Sequence, residues 1–204
     1  MASRKFLLID PAKPVVSDNG QTRERIQEAL IALMVEGARI NHDLVAERAG
    51  ISRRTGYRYY ADQPALREAV WQKLSPSGSL PTSLDQLLET LPEVFRIFDE
   101  RATEMMVAMS SPEGRAIRNT MTERRAAAFR KVYGEATEQL PEPDRTQAIA
   151  VLQLLSSGLA WREMRDQWQL DGQQVAVTAR WAIETLLADL ARRGGARLAE
   201  DAIQ

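Results

Sequence analysis

Apolar side chains recur along most of the chain at the spacing of an α-helix, with short polar stretches between the apolar segments. In residues 22–36 they stand three and four positions apart, which places them on one face of a helix. They are Ile26, Ala29, Leu30, Leu33 and Met34. Thr22 is a predicted N-cap for this helix, and Gly37 is a predicted stop.

Three shorter helices are predicted next, each from a residue that caps helix N-termini well. The caps are Asn41, Ser52 and Asp62. The helices should span about 41–48, 52–59 and 62–74, with Gly50 forming the turn between the first two. The last of them carries an apolar stripe made of Leu66, Ala69, Val70 and Leu74.

The segment SPSGSLPTS, residues 75–83, is rich in Ser, Pro and Gly and predicts a linker or a domain boundary. Only helical periodicity follows it. The helices predicted there are Leu84–Asp99 (kinked or split at Pro92), Glu100–Ser110, Arg115–Leu140, Arg145–Leu170 and Gln173–Arg193.

We therefore predict an all-α protein of about nine helices. Its parts are a flexible arm (1–21), a first helical domain (22–74), a second helical domain (84–193) and a flexible tail (194–204).

Composition excludes several kinds of chemistry. The chain has no cysteine, which excludes disulfides, thiolate metal sites and a cysteine nucleophile. His42 is the only histidine, so one chain cannot form a multi-histidine metal site, and we expect this residue at the surface. We predict neither a metal nor a cofactor.

The membrane is not an expected partner. The apolar run 6–9 ends at Asp10 and Pro11, so it is much shorter than the apolar region of a secretory signal peptide. No apolar run approaches the roughly 20 residues that span a bilayer. We expect a cytoplasmic protein.

The net charge of −1 conceals an uneven distribution. Residues 1–74 hold 12 Lys and Arg against 9 Asp and Glu, whereas residues 75–204 hold 15 against 19. Residues 53–60, RRTGYRYY, concentrate three arginines and three tyrosines. A basic, aromatic segment of this kind is compatible with nucleic-acid binding, although the charge excess alone is small.

Two short helices joined by a tight glycine turn are typical of a helix-turn-helix, whose second helix enters the major groove of DNA. At about 100° per residue, Arg53, Arg54, Tyr57 and Arg58 fall within an arc of roughly 140°. Arginine can bond guanine O6 and N7 together, while hydroxyls such as those of Ser52 and Thr55 suit phosphate oxygens.

The segment AERAGISRRTGYRYYADQPAL, residues 46–66, resembles the signature A-x-x-A-G-V-S-x-x-T-L-Y-x-H-F-x-S-K-x-x-L of the tetracycline-repressor-like (TetR) regulators. The matching positions are Ala46, Ala49, Gly50, Ile51 (for valine), Ser52, Thr55, Tyr57 and Leu66. The resemblance implies that Tyr57 and Tyr59 meet DNA phosphates and that Arg53 and Arg54 read bases. Gly56 replaces the buried leucine of the family, and Gln63 replaces its phosphate-contacting lysine. The eight candidate DNA-binding residues are Ser52, Arg53, Arg54, Thr55, Tyr57, Arg58, Tyr59 and Gln63.

The resemblance also implies that helices of the second domain enclose an effector cavity. The candidate ligand-binding residues are Phe98, Met105, Met106, Met109 and Trp161. Their spacing equally suits core packing, and Trp161 equally suits a subunit interface. Arg115, Arg118 and Arg162 are candidates for a polar anchor, although we expect each at the surface.

These features favour a homodimeric, ligand-responsive repressor that binds a double-stranded DNA operator and releases it when a small apolar molecule binds. The final two predicted helices should pair with their copies in a four-helix dimer interface, because the last one carries an apolar stripe. The stripe consists of Val175, Ala179, Ala182, Ile183, Leu186 and Leu190. Two other classes remain open: a helical interaction or scaffold protein with a degenerate helix-turn-helix, and an all-α enzyme. We expect no catalysis, because the sequence lacks a nucleophile elbow, a phosphate-binding loop and paired metal-ligand spacing.

Overall fold

The structure, a computed structural model, describes residues 18–75 and 80–199. Every regular element in these two ranges is an α-helix, which confirms the predicted all-α class. The ranges contain twelve helices, not about nine. None of these helices is both long enough and apolar enough to cross a membrane.

The first four helices are α1 Asp18–Val35, α2 His42–Ala49, α3 Arg53–Tyr59 and α4 Gln63–Leu74. The three predicted N-caps are confirmed, because each cap side chain accepts a hydrogen bond of 2.8–3.0 Å from the backbone N–H three residues later. Gly50 follows α2 with a φ of 63°, in the left-handed region where glycine is favoured.

Helix α1 begins at Asp18, four residues before the Thr22 cap that the sequence predicted. Asn19 and Gly20 have low helix propensity, which is why the sequence pattern placed the start later. A tertiary contact supports this first turn, since the Tyr59 hydroxyl donates to Asn19 Oδ1 at 3.0 Å. The rest of the predicted flexible arm, residues 1–17, lies outside the described residues.

Eight helices follow the predicted linker. They are α5 Leu84–Glu100, α6 Ala102–Ser110, α7 Pro112–Asn119, α8 Thr122–Val132, α9 Gly134–Thr137, α10 Asp144–Leu155, α11 Gly158–Trp168 and α12 Gly172–Arg193. Helix α5 continues through Pro92, so the predicted split there is wrong. The predicted helices 115–140 and 145–170 are each divided into shorter ones.

Serine caps account for two of the unpredicted helix starts. Ser111 Oγ accepts a hydrogen bond from Gly114 N at 3.0 Å. Helix α7 therefore begins in the gap between the predicted helices Glu100–Ser110 and Arg115–Leu140. Ser157 Oγ accepts from Ala160 N at 3.3 Å and begins α11 within a predicted helix. Because the apolar period continues across residues 145–170, periodicity alone does not reveal the break there.

The apolar stripe of α12 faces the interior of the protomer. Val175, Ala179 and Ile183 are fully buried, and α12 packs along α5. Leu190 is buried as well, so the predicted use of the stripe as a dimer interface is wrong for four of its six residues. The other two, Ala182 and Leu186, are partly buried. Other α12 positions are exposed instead, with Val177 and Trp181 about two-thirds accessible to solvent.

Part of the predicted flexible tail is held against α10. Asp144 is buried at the start of α10, and its carboxylate accepts hydrogen bonds from Leu198 N at 2.8 Å and from the Arg197 guanidinium at 3.2 Å. The Leu198 N–H and Arg197 hold the pKa of this carboxyl below its usual value. Residues 194–199 thus have a defined place, and residues 200–204 lie outside the described ranges.

The two helical domains are in direct contact. Helix α1 packs against α6, and α4 packs against α7. Arg67 on α4 forms an ion pair with Glu113 on α7 at 2.8 Å, and both side chains are largely shielded from solvent. The Arg101 guanidinium also donates to the Lys73 carbonyl. These contacts position the first four helices relative to the second domain.

Gly172 generates a prediction about this packing. A Cβ at Gly172 would lie far inside van der Waals contact with the Phe95 carbonyl oxygen, whereas a Cβ at Gly134 meets nothing within 4 Å. We expect Gly172→Ala to lower the free energy of unfolding by roughly 1–3 kcal/mol, the usual cost of overpacking. Gly134→Ala should leave it unchanged or raise it by up to about 1 kcal/mol. Urea unfolding followed by circular dichroism measures both, and equal midpoints would contradict this packing.

Candidate functional site

Helices α2 and α3 are joined by a three-residue turn at 50–52. The Ile51 N–H closes the turn by donating to the Ala46 carbonyl at 3.0 Å, and Ile51 packs against the core. Helix α2 also packs against α1. The seven-residue α3 therefore packs on α2, which itself packs on α1. The opposite side of α3 faces solvent.

Five of the eight predicted DNA-binding residues are exposed together on α3 and its cap, and we call this surface the α3 face. It consists of Ser52, Arg53, Arg54, Tyr57 and Arg58. The other three predicted residues, Thr55, Tyr59 and Gln63, are only partly exposed. The α3 face is cationic and aromatic, as the sequence predicted for this helix.

The arginines of the α3 face differ in what they contact. Arg53 forms an exposed ion pair of 3.0 Å with Asp43, and its guanidinium lies 5.7 Å from the centre of the Tyr57 ring. A hydrogen bond with Tyr57 and the charge of Asp43 raise the pKa of Arg53. Arg58 lies 5.3 Å from the centre of the Tyr59 ring. Arg54 has no hydrogen-bond or ion-pair partner among the described residues, so its guanidinium is available to a ligand.

A ring stack supports the α3 face from behind. The His42 and Tyr57 rings are nearly parallel, with centres 3.8 Å apart, and His42 Nε2 is 2.8 Å from the Tyr60 carbonyl oxygen. The expected surface position of His42 is wrong, because only 7% of this residue is exposed. Gly56 is buried beside this stack, and a Cβ there would meet only His42 Cδ2, at the ordinary contact distance of 4.0 Å.

Tyr59 and Gln63 bond within the domain. The Tyr59 hydroxyl donates to Asn19 on α1, and Gln63 Nε2 donates to the Ile40 carbonyl at 2.8 Å. These bonds connect the ends of α3 and α4 to α1 and to the loop before α2. Contacts of Tyr59 and Gln63 with DNA phosphates stay predictions, and both groups would have to share or exchange these bonds to make them.

A cavity of about 200 Å³ lies in the second domain, closed on one side by the end of α4. Three of the five predicted ligand-binding residues line it, namely Phe98, Met105 and Met109. Met106 does not line it and packs half-buried against the core. Trp161 does not line it either: it is fully buried, packs edge-on against Phe98 and donates from Nε1 to Asp99 at 2.9 Å.

The cavity also contains residues that sequence reasoning did not assign to it. Arg118 is one of the three candidate anchors, and it lines the wall, whereas Arg115 and Arg162 do not. Arg125 lines the wall too, although no pattern singled it out. The turn between α7 and α8, which the sequence predicted as continuous helix, brings both arginines to the same cavity.

No protein-family model matches the chain, and no curated protein does. Two features of the molecule indicate its function, the exposed α3 face and the cavity lined by α4 and α7.

Gly56 provides a test of how α3 is supported. Gly56→Ala should raise the free energy of unfolding by about 1 kcal/mol, because alanine favours helix and its Cβ fits at ordinary contact distance from His42. Gly50→Ala is the matched control. It should lower the same quantity by roughly 1–2 kcal/mol, since Gly50 has a φ of 63° and lies close to Arg25. Urea unfolding measures the free energy of unfolding of both variants. Destabilisation by Gly56→Ala would show that there is no room for a Cβ beside His42.

Proposed function

We propose that the protein is a DNA-binding transcriptional regulator of the tetracycline-repressor-like kind. It binds operator DNA as a homodimer and acts as a repressor that releases the operator when a small apolar molecule enters the cavity. The observation that carries the proposal is the α3 face, where three arginines and a tyrosine are exposed on one short helix that follows a tight turn.

The chemistry of the α3 face suits DNA. Arg54, which has no polar partner in the described part of the chain, can present its planar fork to guanine O6 and N7. Ser52 and Tyr57 carry hydroxyls that can donate to phosphate oxygens. The Arg53–Asp43 pair is exposed and therefore worth little, so a DNA phosphate can replace Asp43 at small cost.

The distribution of exposed apolar side chains supports a homodimer. Among the described residues, six large hydrophobic side chains are exposed, and five of them belong to α10, α11 and α12. These five are Val151, Leu154, Trp168, Val177 and Trp181. Helices α10 and α11 both pack on α12, so the five side chains belong to neighbouring helices, as a self-association surface requires.

A second protomer would provide a second α3 face. Two recognition helices about 34–36 Å apart fit successive major grooves on one side of B-DNA. A ligand that prefers another separation would lower DNA affinity by the difference in its own affinity for the two states.

The contact between α4 and α7 offers a route for this coupling. Helix α4 directly follows α3, and its Arg67 is paired with Glu113 on α7. Gly114, Ile117 and Arg118 of the same α7 line the cavity. A ligand that displaces α7 would therefore also displace α4 and, with it, the α3 face.

Arg54 provides the test of DNA recognition. We expect Arg54→Ala to weaken binding to an operator selected from a random duplex pool by roughly 1–3 kcal/mol, because a bidentate base contact is lost. Binding to random DNA should change much less. Fluorescence anisotropy at several salt concentrations measures both, and the wild type should show a steep fall in affinity with salt.

Arg130→Ala is the control for this experiment, since Arg130 is exposed on α8 and its loss removes the same charge away from the α3 face. It should bind both DNAs almost as the wild type does. Equal losses for both arginine variants would contradict specific recognition by α3, and a wild type without DNA binding would refute the proposed function.

Trp181 provides the test of self-association. Trp181→Lys should shift the protein toward monomer in sedimentation velocity at micromolar concentration, because an ammonium group would be buried in the apolar interface. Helical content should be retained, since Trp181 is 67% exposed and contributes little to the protomer core. Ala127→Lys, at an exposed position on α8, should leave the wild-type dimer intact. A wild type that is monomeric at this concentration would exclude the paired-groove mechanism.

A further inference from the structure

The cavity wall combines an apolar lining with an unbalanced positive charge. Most of the lining is apolar, including Leu87, Leu91 and Phe129. Two arginines, Arg118 and Arg125, belong to it, and the described residues of the lining include no aspartate or glutamate. A pocket of this composition is suited to a ligand that is apolar over most of its surface and negatively charged at one end.

Arg125 is the less satisfied of the two arginines. It lies on α8 with most of its surface shielded from solvent, and its guanidinium has no hydrogen-bond or ion-pair partner among the described residues. A guanidinium carries five N–H donors, and those of Arg125 are not fully buried, so they remain open to a ligand that enters the cavity. Arg118 donates to the Ala108 carbonyl, which uses only part of its capacity.

The surroundings add further positive charge. Burial lowers the pKa of Arg118, and the nearby charges of Arg125, Arg115 and Arg162 lower it further. Burial likewise lowers the pKa of Arg125. Both shifts mean that the protein around the cavity disfavours these charges in the absence of an anion, so an anion placed between them would be stabilised.

We propose that the cavity binds a small apolar carboxylic acid in its ionised form, with the carboxylate held by Arg118 and Arg125 and the apolar body packed among the leucine and phenylalanine side chains. Arginine and carboxylate form charge-assisted hydrogen bonds that are stronger than neutral ones. Binding of the acid does not depend on the proposed function. Only the expectation that the bound acid releases DNA rests on it.

The volume of the cavity restricts the size of the acid. About 200 Å³ is somewhat more than the roughly 150 Å³ of a protein cavity that holds benzene, and less than the roughly 300–1,000 Å³ typical of drug-sized ligands. One aromatic ring with a short acidic side chain is of suitable size. A nucleotide is too large, and a neutral hydrocarbon would offer Arg125 no acceptor.

The test compares two probes of nearly equal shape, phenylacetate and phenylacetamide. Isothermal titration calorimetry on the full chain without DNA measures the dissociation constant of each, up to 10 mM, a range suited to weak ligands of about this size. We expect phenylacetate to bind at least about tenfold more tightly, because hydrogen bonds to a charged group are worth enough for a preference of about 10–100-fold.

Variants assign the preference to the cavity. Arg125→Gln should remove most of the preference for phenylacetate while leaving phenylacetamide binding nearly unchanged. Arg125→Lys should retain part of it, because the charge is kept and the forked geometry is lost. Arg130→Gln is the matched control on the same helix, at an exposed position outside the lining, and should behave as the wild type. The ratio of the two affinities within one variant does not depend on small losses of stability.

Several outcomes would overturn the inference. They are failure of both probes to bind, equal affinity for the acid and the amide, and an unchanged preference in Arg125→Gln. Displacement of phenylacetate by inorganic phosphate at similar concentration would also overturn it, since the apolar body would then contribute nothing. A separate DNA-binding assay with phenylacetate tests release, so a protein that binds the acid but no DNA would refute the proposed function and leave the ligand class standing.

Discussion

The second domain depends on the carboxylate of Asp99, which joins three helices. Asp99 on α5 accepts hydrogen bonds from Trp161 Nε1 at 2.9 Å and Arg165 at 2.7 Å, both on α11, and from the Gly172 N–H at the start of α12. A partly buried carboxylate is stable only when its oxygens are bonded, so these three donors stabilise one arrangement of the helices. The same contacts hold Trp161 edge-on against Phe98, which forms part of the cavity wall.

The α3 face shows how a short helix can present charge without a core of its own. A seven-residue helix is not stable in isolation, and Gly56 is the only residue of α3 that is buried. Helix α3 is held in position by the stack of His42 on Tyr57 and by the Tyr59–Asn19 hydrogen bond. Because polar and aromatic contacts supply this support, the front of the helix can remain cationic and exposed.

Two arginines without partners in the described structure lie in very different surroundings. Arg54 faces solvent on α3, whereas Arg125 is largely shielded and lines the cavity. Under the proposals made above, the first would meet DNA and the second a carboxylate. The Arg67–Glu113 ion pair connects the two regions, because it joins the helix that follows α3 to a helix of the cavity wall. If the proposed function holds, a ligand that displaces α7 would act on α4 through this pair.

The sequence by itself determined the helical class and the local starts of α2, α3 and α4. Asn41, Ser52 and Asp62 act through hydrogen bonds to residues three positions away, so no distant contact is needed to recognise them. The exposed, basic character of α3 could be predicted for the same reason, since Arg53, Arg54, Tyr57 and Arg58 share one face of a single helix.

Only the tertiary structure decided which side chains meet across helices. The sequence pattern indicated that the α12 stripe is apolar, but not that α5 would cover it, because an apolar face has no preference between its own chain and a second copy. Burial of His42 depends on its stack with Tyr57 of the next helix, and the position of Arg125 depends on the turn between α7 and α8. These outcomes follow from packing between segments far apart in the chain, which periodicity within one segment does not encode.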